Sequence, residues 1–136
     1  MLRALTILAV ACVAACSADR PALTATNVDV PAPVPGASMG AAYLELTNNS
    51  DADIRITRVA SPQLKSVEMH ETVLADGVSR MRRLEEVSIA PQQTVQFERG
   101  AKHLMLRYPA ESPAQLTLQF YTGDTLLLSL DVSLKD

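Results

Sequence analysis

Residues 67–84 read VEMHETVLADGVSRMRRL, two runs rich in β-branched and alternating polar residues around the pair Asp76-Gly77. An Asp-Gly pair between two such runs is a strong signal for a two-residue β-hairpin turn, because both central residues of that turn need a positive φ. The turn would pair Ala75 with Val78. This stretch therefore predicts an antiparallel hairpin, and with it a β-rich fold.

The predicted turn also sets the register of the hairpin. Counting outward from it places Thr72 opposite Met81 and His70 opposite Arg83. His70 and Met81 are then diagonal neighbours on one face, with Cβ atoms roughly 7 Å apart. Because a slip of one residue would move them to opposite faces, the prediction depends on this register.

Short alternating segments continue on both sides of the hairpin, separated by Pro, Gly, Asn and Asp. No stretch of useful length has a helical period, and this spacing of strands and turns is typical of a β-sandwich. We therefore predict an all-β domain. The predicted strands, all of them short, span residues 24–30, 41–47, 53–60, 65–72, 78–84, 93–98, 103–108, 115–121 and 125–134.

The composition of the chain excludes several classes of protein. Its 136 residues are 48% apolar and 20% charged, with a formal net charge of −3. That is enough apolar sequence for one domain with a real core, and it excludes wholesale disorder. No cationic field is available for nucleic acid, and 4% aromatic residues without Trp make a base-stacking surface improbable. We expect no nucleic-acid partner.

The first 15 residues, MLRALTILAVACVAA, resemble an export signal. A cationic start precedes an apolar run that is shorter than the roughly 20 residues of a membrane-spanning helix. Residues 13–16 (VAAC) resemble a bacterial lipoprotein signal, in which Cys16 would become an acylated N-terminus that holds the protein to a membrane. The alternative is an ordinary secretory signal. In the lipoprotein interpretation, residues 16–23 are the lipidated N-terminus and tether. Residues 24–136 are the folded domain.

Both cysteines lie in this leading segment, at positions 12 and 16. The folded domain therefore has neither a disulfide nor a thiolate. This excludes a Cys nucleophile and a zinc site built on Cys.

The segment 102–108 places unusual residues on its outward face. Leu104, Leu106 and Tyr108 share one face of the predicted strand and are the obvious core set. His103 and Met105 point to the other face. An outward Met is unexpected, because Met more often fills a core.

Four residues on three strands share these predicted outward faces: His70, Met81, His103 and Met105. Each has an ordinary interpretation when taken singly, as a surface His or a core Met. Jointly they form a neutral set of two imidazoles and two thioethers, which favours Cu(I) over zinc, calcium or magnesium. Their outward placement predicts a shallow, exposed site that could exchange its metal.

The two other internal methionines are interpreted differently. Met69 has inward parity and is expected in the core. Met39 follows Gly36 in the stretch PGASMGAAY, where a loop or core role is favoured over that of an accessory thioether.

Charged residues surround the predicted hairpin. Arg80, Arg82 and Arg83 form a basic run, which is interpreted as a solvated strand face, with the docking of an acidic partner as the alternative. Glu68 and Glu71 either orient His70 through hydrogen bonds or are plain surface charges.

The spacing of the four candidate ligands is His70-x10-Met81-x21-His103-x-Met105. It resembles the signature of the PCu(A)C family of periplasmic copper chaperones, and the neighbouring segments VEMHE, MRRLEEVSIAP, VQFERGAKHLML and AAYLELTN are also similar to that family. The resemblance implies a cupredoxin-like, Greek-key β-sandwich. It also implies that these two His and two Met bind copper as Cu(I), with Cu(II) as a further oxidation state.

The resemblance further implies a function. A protein of this family would deliver copper to the copper centre of a respiratory haem–copper oxidase, alone or with a Sco-type thiol protein. We expect a monomer in the periplasm, anchored through the lipid on Cys16. The alternatives are a copper storage or resistance protein, and a metal-free structural or adhesive lipoprotein.

An enzyme is not expected. A catalytic metal site keeps an open position and a nearby general base, whereas four protein ligands could saturate Cu(I). Because the chain has only two His, none is left over for acid–base work.

Overall fold

The computed structural model describes residues 20–136, which form eleven β-strands. The predicted signal segment and the first half of the predicted tether, residues 16–19, lie outside the described residues. Within residues 20–136, no helix is long and apolar enough to cross a membrane. The strands, in chain order, are β1 Leu23–Asp29, β2 Met39–Asn48, β3 Ile54–Ile56, β4 Arg58–Ala60, β5 Ser66–Ala75, β6 Val78–Arg83, β7 Val87–Ile89, β8 Thr94–Phe97, β9 Lys102–Arg107, β10 Gln115–Thr122 and β11 Thr125–Ser133.

These strands form three antiparallel sheets. The largest has the order β1-β2-β9-β5-β6, with β8 also paired to β2. A second sheet has the order β11-β10-β4, and β3 pairs with β7. The order is not sequential, so the chain passes repeatedly between sheets. The all-β sandwich predicted from the sequence is confirmed.

The core lies between the sheets and is built from alternate residues of each strand. Leu104 and Leu106 of β9 face inward with Leu44 of β2, and all three are buried. Leu118 and Phe120 of β10 enter the same cluster from the second sheet. Alternation of this kind is what a strand produces when only one of its faces is covered.

The predicted hairpin has the predicted register. Strand β5 pairs with β6 so that Thr72 faces Met81 and His70 faces Arg83. Asp76 and Gly77 have φ values of 52° and 74°, as a turn with two left-handed residues requires.

Two predictions of strands were wrong. The segment 53–60 is not one strand: it divides at Thr57 into β3 and β4, which pair with β7 and β10 respectively. The backbone N–H of Thr57 donates to the carbonyl oxygen of Tyr121 on β10, so the chain has already left β7 at this residue. Strand β7 was not predicted, because three residues between a Glu pair and Pro91 are too few to show alternation.

Candidate metal centre

The outward faces of β5 and β9 bring the two histidines together. His70 lies directly opposite His103 in the antiparallel ladder, and Glu68 lies opposite Met105. The imidazole ring centroids are 5.9 Å apart with an interplanar angle of 38°. Sequence spacing alone could not show this contact, because it depends on how two distant strands pair.

The methionines complete the same face. Met81 on β6 lies opposite Thr72 and therefore diagonal to His70. A surface groove of about 400 Å³ is lined by Met81, His103 and Met105. His70 is not part of that lining but neighbours it through the ring of His103. The structure thus places all four predicted ligands on one side of one sheet.

This face is less open than its outward direction suggested. His103 is only 6% exposed, and the side chain of His70 is 13% exposed. Arg99 and Gly100, in the loop between β8 and β9, line the groove beside His103. The expectation of an exposed site is therefore wrong for the imidazoles. It holds for Met81, which is 62% exposed.

A carboxylate orients the His70 ring. Nε2 of His70 lies 2.8 Å from Oε2 of Glu68. The pKa of Glu68 is lowered, first by this hydrogen bond and then by the charge of Arg83, so the carboxylate accepts and Nε2 carries the proton. Nδ1 of His70 is buried and has no hydrogen-bond partner among residues 20–136, so it is the ring nitrogen left for a metal. A carboxylate that holds an imidazole in this way is common beside metal ligands.

The backbone orients the second ring. Nδ1 of His103 lies 3.2 Å from the carbonyl oxygen of Ala101, to which it donates. That hydrogen bond leaves Nε2 as the nitrogen with a free lone pair. The loop before β9 therefore sets the tautomer of His103.

Most of the remaining charges near the hairpin are already partnered, and Arg80 is the exception among the three arginines of β6. Arg82 and Lys102 donate to Glu71 at 2.8 and 3.2 Å, and these bonds lower the pKa of the Glu71 carboxyl. Of the two proposed carboxylates, only Glu68 therefore contacts a histidine. Arg80 has no ion pair among residues 20–136. All residues of β6 are exposed at the sheet edge, which favours the solvated-face interpretation of the basic run.

The structure separates Met69 from Met39. Met69 is 4% exposed and belongs to the core, as predicted. Met39 begins strand β2, is 39% exposed and lines the groove with the predicted ligands. The favoured loop or core role of Met39 was wrong. The alternation from Met39 to Leu44, with Ala42 and Leu44 buried, was the signal that could have placed it outward.

The donor set fits a soft cation. Among residues 20–136, no three His, Cys, Asp or Glu side chains are grouped as they would be for a hard or borderline metal. A metal held at this face would therefore need the thioethers. Two imidazole lone pairs and two thioethers are suited to Cu(I).

The family model for LpqE-like proteins, whose description names a lipoprotein, matches residues 23–132. That match covers β1 to β10 completely and all of β11 except its last residue. The chain belongs to the LpqE-like family.

Solved structures agree in fold. The copper-bound PCuAC domain from PmoF2 is 17% identical with a TM-score of 0.66, and the alignment covers 84% of this chain and 92% of that one. Apo-DR1885 from Deinococcus radiodurans is 24% identical with a TM-score of 0.62, covering 99% of this chain and 94% of that one. No curated protein sequence matches significantly. The fold is that of PCuAC domains, which confirms the resemblance drawn from the sequence.

Proposed function

We propose that this protein is an extracytoplasmic metallochaperone that binds Cu(I) through His70, Met81, His103 and Met105. The observation that carries the proposal is the meeting of these four side chains, spread over 36 positions of the chain, on one face of the large sheet. A fold shared with a copper-bound PCuAC domain supports it.

The site's chemistry supports the monovalent ion. Each imidazole has one ring nitrogen engaged by the protein, His70 Nε2 by Glu68 and His103 Nδ1 by Ala101, which leaves the other ring nitrogen for a metal. Thioethers need no deprotonation and remain good ligands in an oxidising compartment, where thiolates would form disulfides. Cu(II) would prefer harder nitrogen and oxygen donors, so Cu(I) is the cargo we propose.

The uneven exposure of the ligands supports transfer rather than permanent storage. The imidazoles are shielded, whereas Met81 is 62% exposed on the edge strand β6. An acceptor can therefore reach the ion from the Met81 side and displace a weak thioether first. An acceptor with thiolates would bind Cu(I) more tightly, which would make transfer to it favourable.

The recipient we propose is the copper subunit of a haem–copper oxidase, reached directly or through a Sco-type thiol protein. The proposed location is the periplasm, with the protein anchored by a lipid on Cys16. The lipoprotein named in the family description supports the anchor, and the sequence of residues 13–16 supports the site of lipidation.

An anaerobic Cu(I) competition titration of residues 17–136 tests the metal site. This segment contains all eleven strands and the whole described core. We expect one bound ion per chain, and an affinity at least about tenfold lower when Met81 and Met105 are both changed to Leu, a nearly volume-conserving change. Met69→Leu is the matched control, because Met69 is buried on the opposite face of the sheet. Equal affinity of the three proteins would refute the site.

A deletion strain separates delivery from storage. Loss of oxidase activity that added copper restores would support delivery. Copper sensitivity with normal oxidase activity would instead support storage or resistance, the second candidate function, which uses the same ligands.

A further inference from the structure

We propose that Met39 is a reserve thioether of the same site, which takes over the copper ion when Met81 releases it. The inference rests on the proposed function, because it concerns the same cargo. It adds a third sulfur ligand, which lets the ion exchange one thioether for another without leaving the protein.

The first argument is the position of Met39 in the ladder. Met39 lies opposite Arg107 and Ala41 lies opposite Met105, so Met39 and Met105 are diagonal neighbours on the outward face. Diagonal partners of this kind are within reach of long side chains. Met39 also lines the groove that Met81, His103 and Met105 line.

The second argument is the space left beside it. Ala41, which faces Met105 directly, is small and leaves room above the strand. Gly40 cannot carry a larger side chain, because a Cβ there would lie 2.8 Å from Cε2 of Tyr108. The strand is therefore held close to the core at this point, while the Met39 side chain remains outside.

The third argument is the arrangement of the exposed sulfurs. The strand order β2-β9-β5-β6 puts Met39 and Met81 on opposite sides of the histidines. These two are also the exposed methionines, at 39% and 62%, whereas Met69 is 4% exposed. An exposed Met on a strand gains little from packing, so its thioether is free to act as a ligand.

The resulting step is a ligand exchange without redox change. The Met81 thioether dissociates from Cu(I), and the Met39 thioether donates its lone pair in its place. The two imidazoles and Met105 would hold the ion during the exchange, and two sulfurs would bind it before and after. The Met81 side of the ion is then open to the incoming ligand of an acceptor.

A double-mutant cycle on residues 17–136 tests this exchange through Cu(I) affinity. In the wild-type background, Met39→Leu should change the affinity by no more than about twofold, the usual scatter for sites that do not interact. In the Met81→Leu background, the same change should lower the affinity by about tenfold, because the reserve ligand is then in use. Met69→Leu in both backgrounds is the control and should have no effect.

A second measurement reports on Met39 directly. With methyl-labelled methionine, the Met39 methyl resonance of the Met81→Leu variant should shift when Cu(I) is added, whereas that of Met69 should not. If Cu(I) shifts Met105 alone and Met39→Leu has the same small effect in both backgrounds, Met39 is not a ligand and the proposed function still stands. If wild-type protein binds no Cu(I), both proposals fail.

Discussion

Consecutive residues of strand β9 face opposite environments. Leu104 and Leu106 point into the core and are fully buried, whereas His103 and Met105 point to the groove. The inward face needs only apolar side chains of the right volume, so it is chemically uniform. The outward face holds two imidazoles and thioethers at set positions, and we propose that ligand chemistry rather than packing explains its composition.

Two methionines of the hairpin show the same contrast, because the same residue type lies in two different environments. Met69 is 4% exposed and Met81 is 62% exposed, although both belong to the one hairpin. For Met69 the thioether is incidental and the volume matters. For Met81 we propose that the thioether matters and that the volume is incidental. The comparison teaches that residue type alone does not assign a role, and that the face of the sheet does.

The largest effect should come from the inward face. Leu104→Ala removes a side chain with no exposed surface and should lower the free energy of unfolding by about 2–5 kcal/mol, through lost burial and the cavity left behind. Chemical denaturation measures it. The adjacent outward change Met105→Leu should cost less than about 1.5 kcal/mol. Similar losses for the two variants would break the comparison.

The next largest loss of stability should come from Asn48, a buried polar residue at the end of strand β2. Asn48 has no exposed surface, and its Nδ2 donates to the carbonyls of Ala52 and Ile89 at 2.7 and 2.8 Å. Asn48→Ala leaves the buried Ile89 carbonyl without this donor and should cost about 2–3 kcal/mol of unfolding free energy. Asn49→Ala is the control, because the hydrogen bonds that this change removes are closer to solvent. Equal costs would show that burial does not decide the difference.

The outward face should respond through copper affinity instead of stability. Glu68→Gln removes the charged acceptor that orients His70 and should lower Cu(I) affinity by about tenfold, while thermal stability changes little. Glu71→Gln is the matched control, because Glu71 pairs with Arg82 and Lys102 and not with a histidine. If both changes lower the affinity equally, a general loss of negative charge explains the effect.

The smallest effect concerns Tyr108, whose buried hydroxyl has no hydrogen-bond partner in the part of the chain that the structure describes. Tyr108→Phe should leave the unfolding free energy at neutral pH unchanged or raise it by up to about 1 kcal/mol, because an unsatisfied polar group is removed. Denaturation at pH 7 measures this change, with Tyr121→Phe as the control.

The same residue gives a pH dependence with a definite sign. Burial raises the pKa of the Tyr108 phenol above its usual 10.0. As pH rises through 10.0, the unfolded chain loses this proton before the folded protein does, so stability falls. The Tyr108→Phe variant should lose less stability than wild type between pH 9 and about 11. Parallel curves for the two proteins would contradict the assignment.

Much of the fold could be predicted because its signals are local. The Asp76-Gly77 turn determined the register of β5 and β6, and the alternation of Leu104 and Leu106 identified the inward face of β9. Strand β7 and the break at Thr57 were missed, because they depend on pairing with distant strands rather than on local pattern. The identity of the four candidate ligands followed from their spacing, and their role as ligands stays a prediction.

By itself, the sequence determined the β class, the hairpin register and the face on which each candidate ligand lies, because side-chain direction alternates with a period of two along any strand. Only the tertiary structure decided which strands are neighbours. The pairing of β5 with β9 put His70 against His103, and Ala101 in the loop after β8 set the tautomer of His103. The pairing of β2 with β9 brought Met39 to the groove. These contacts join residues far apart in the chain, so the packing of the whole domain selects them.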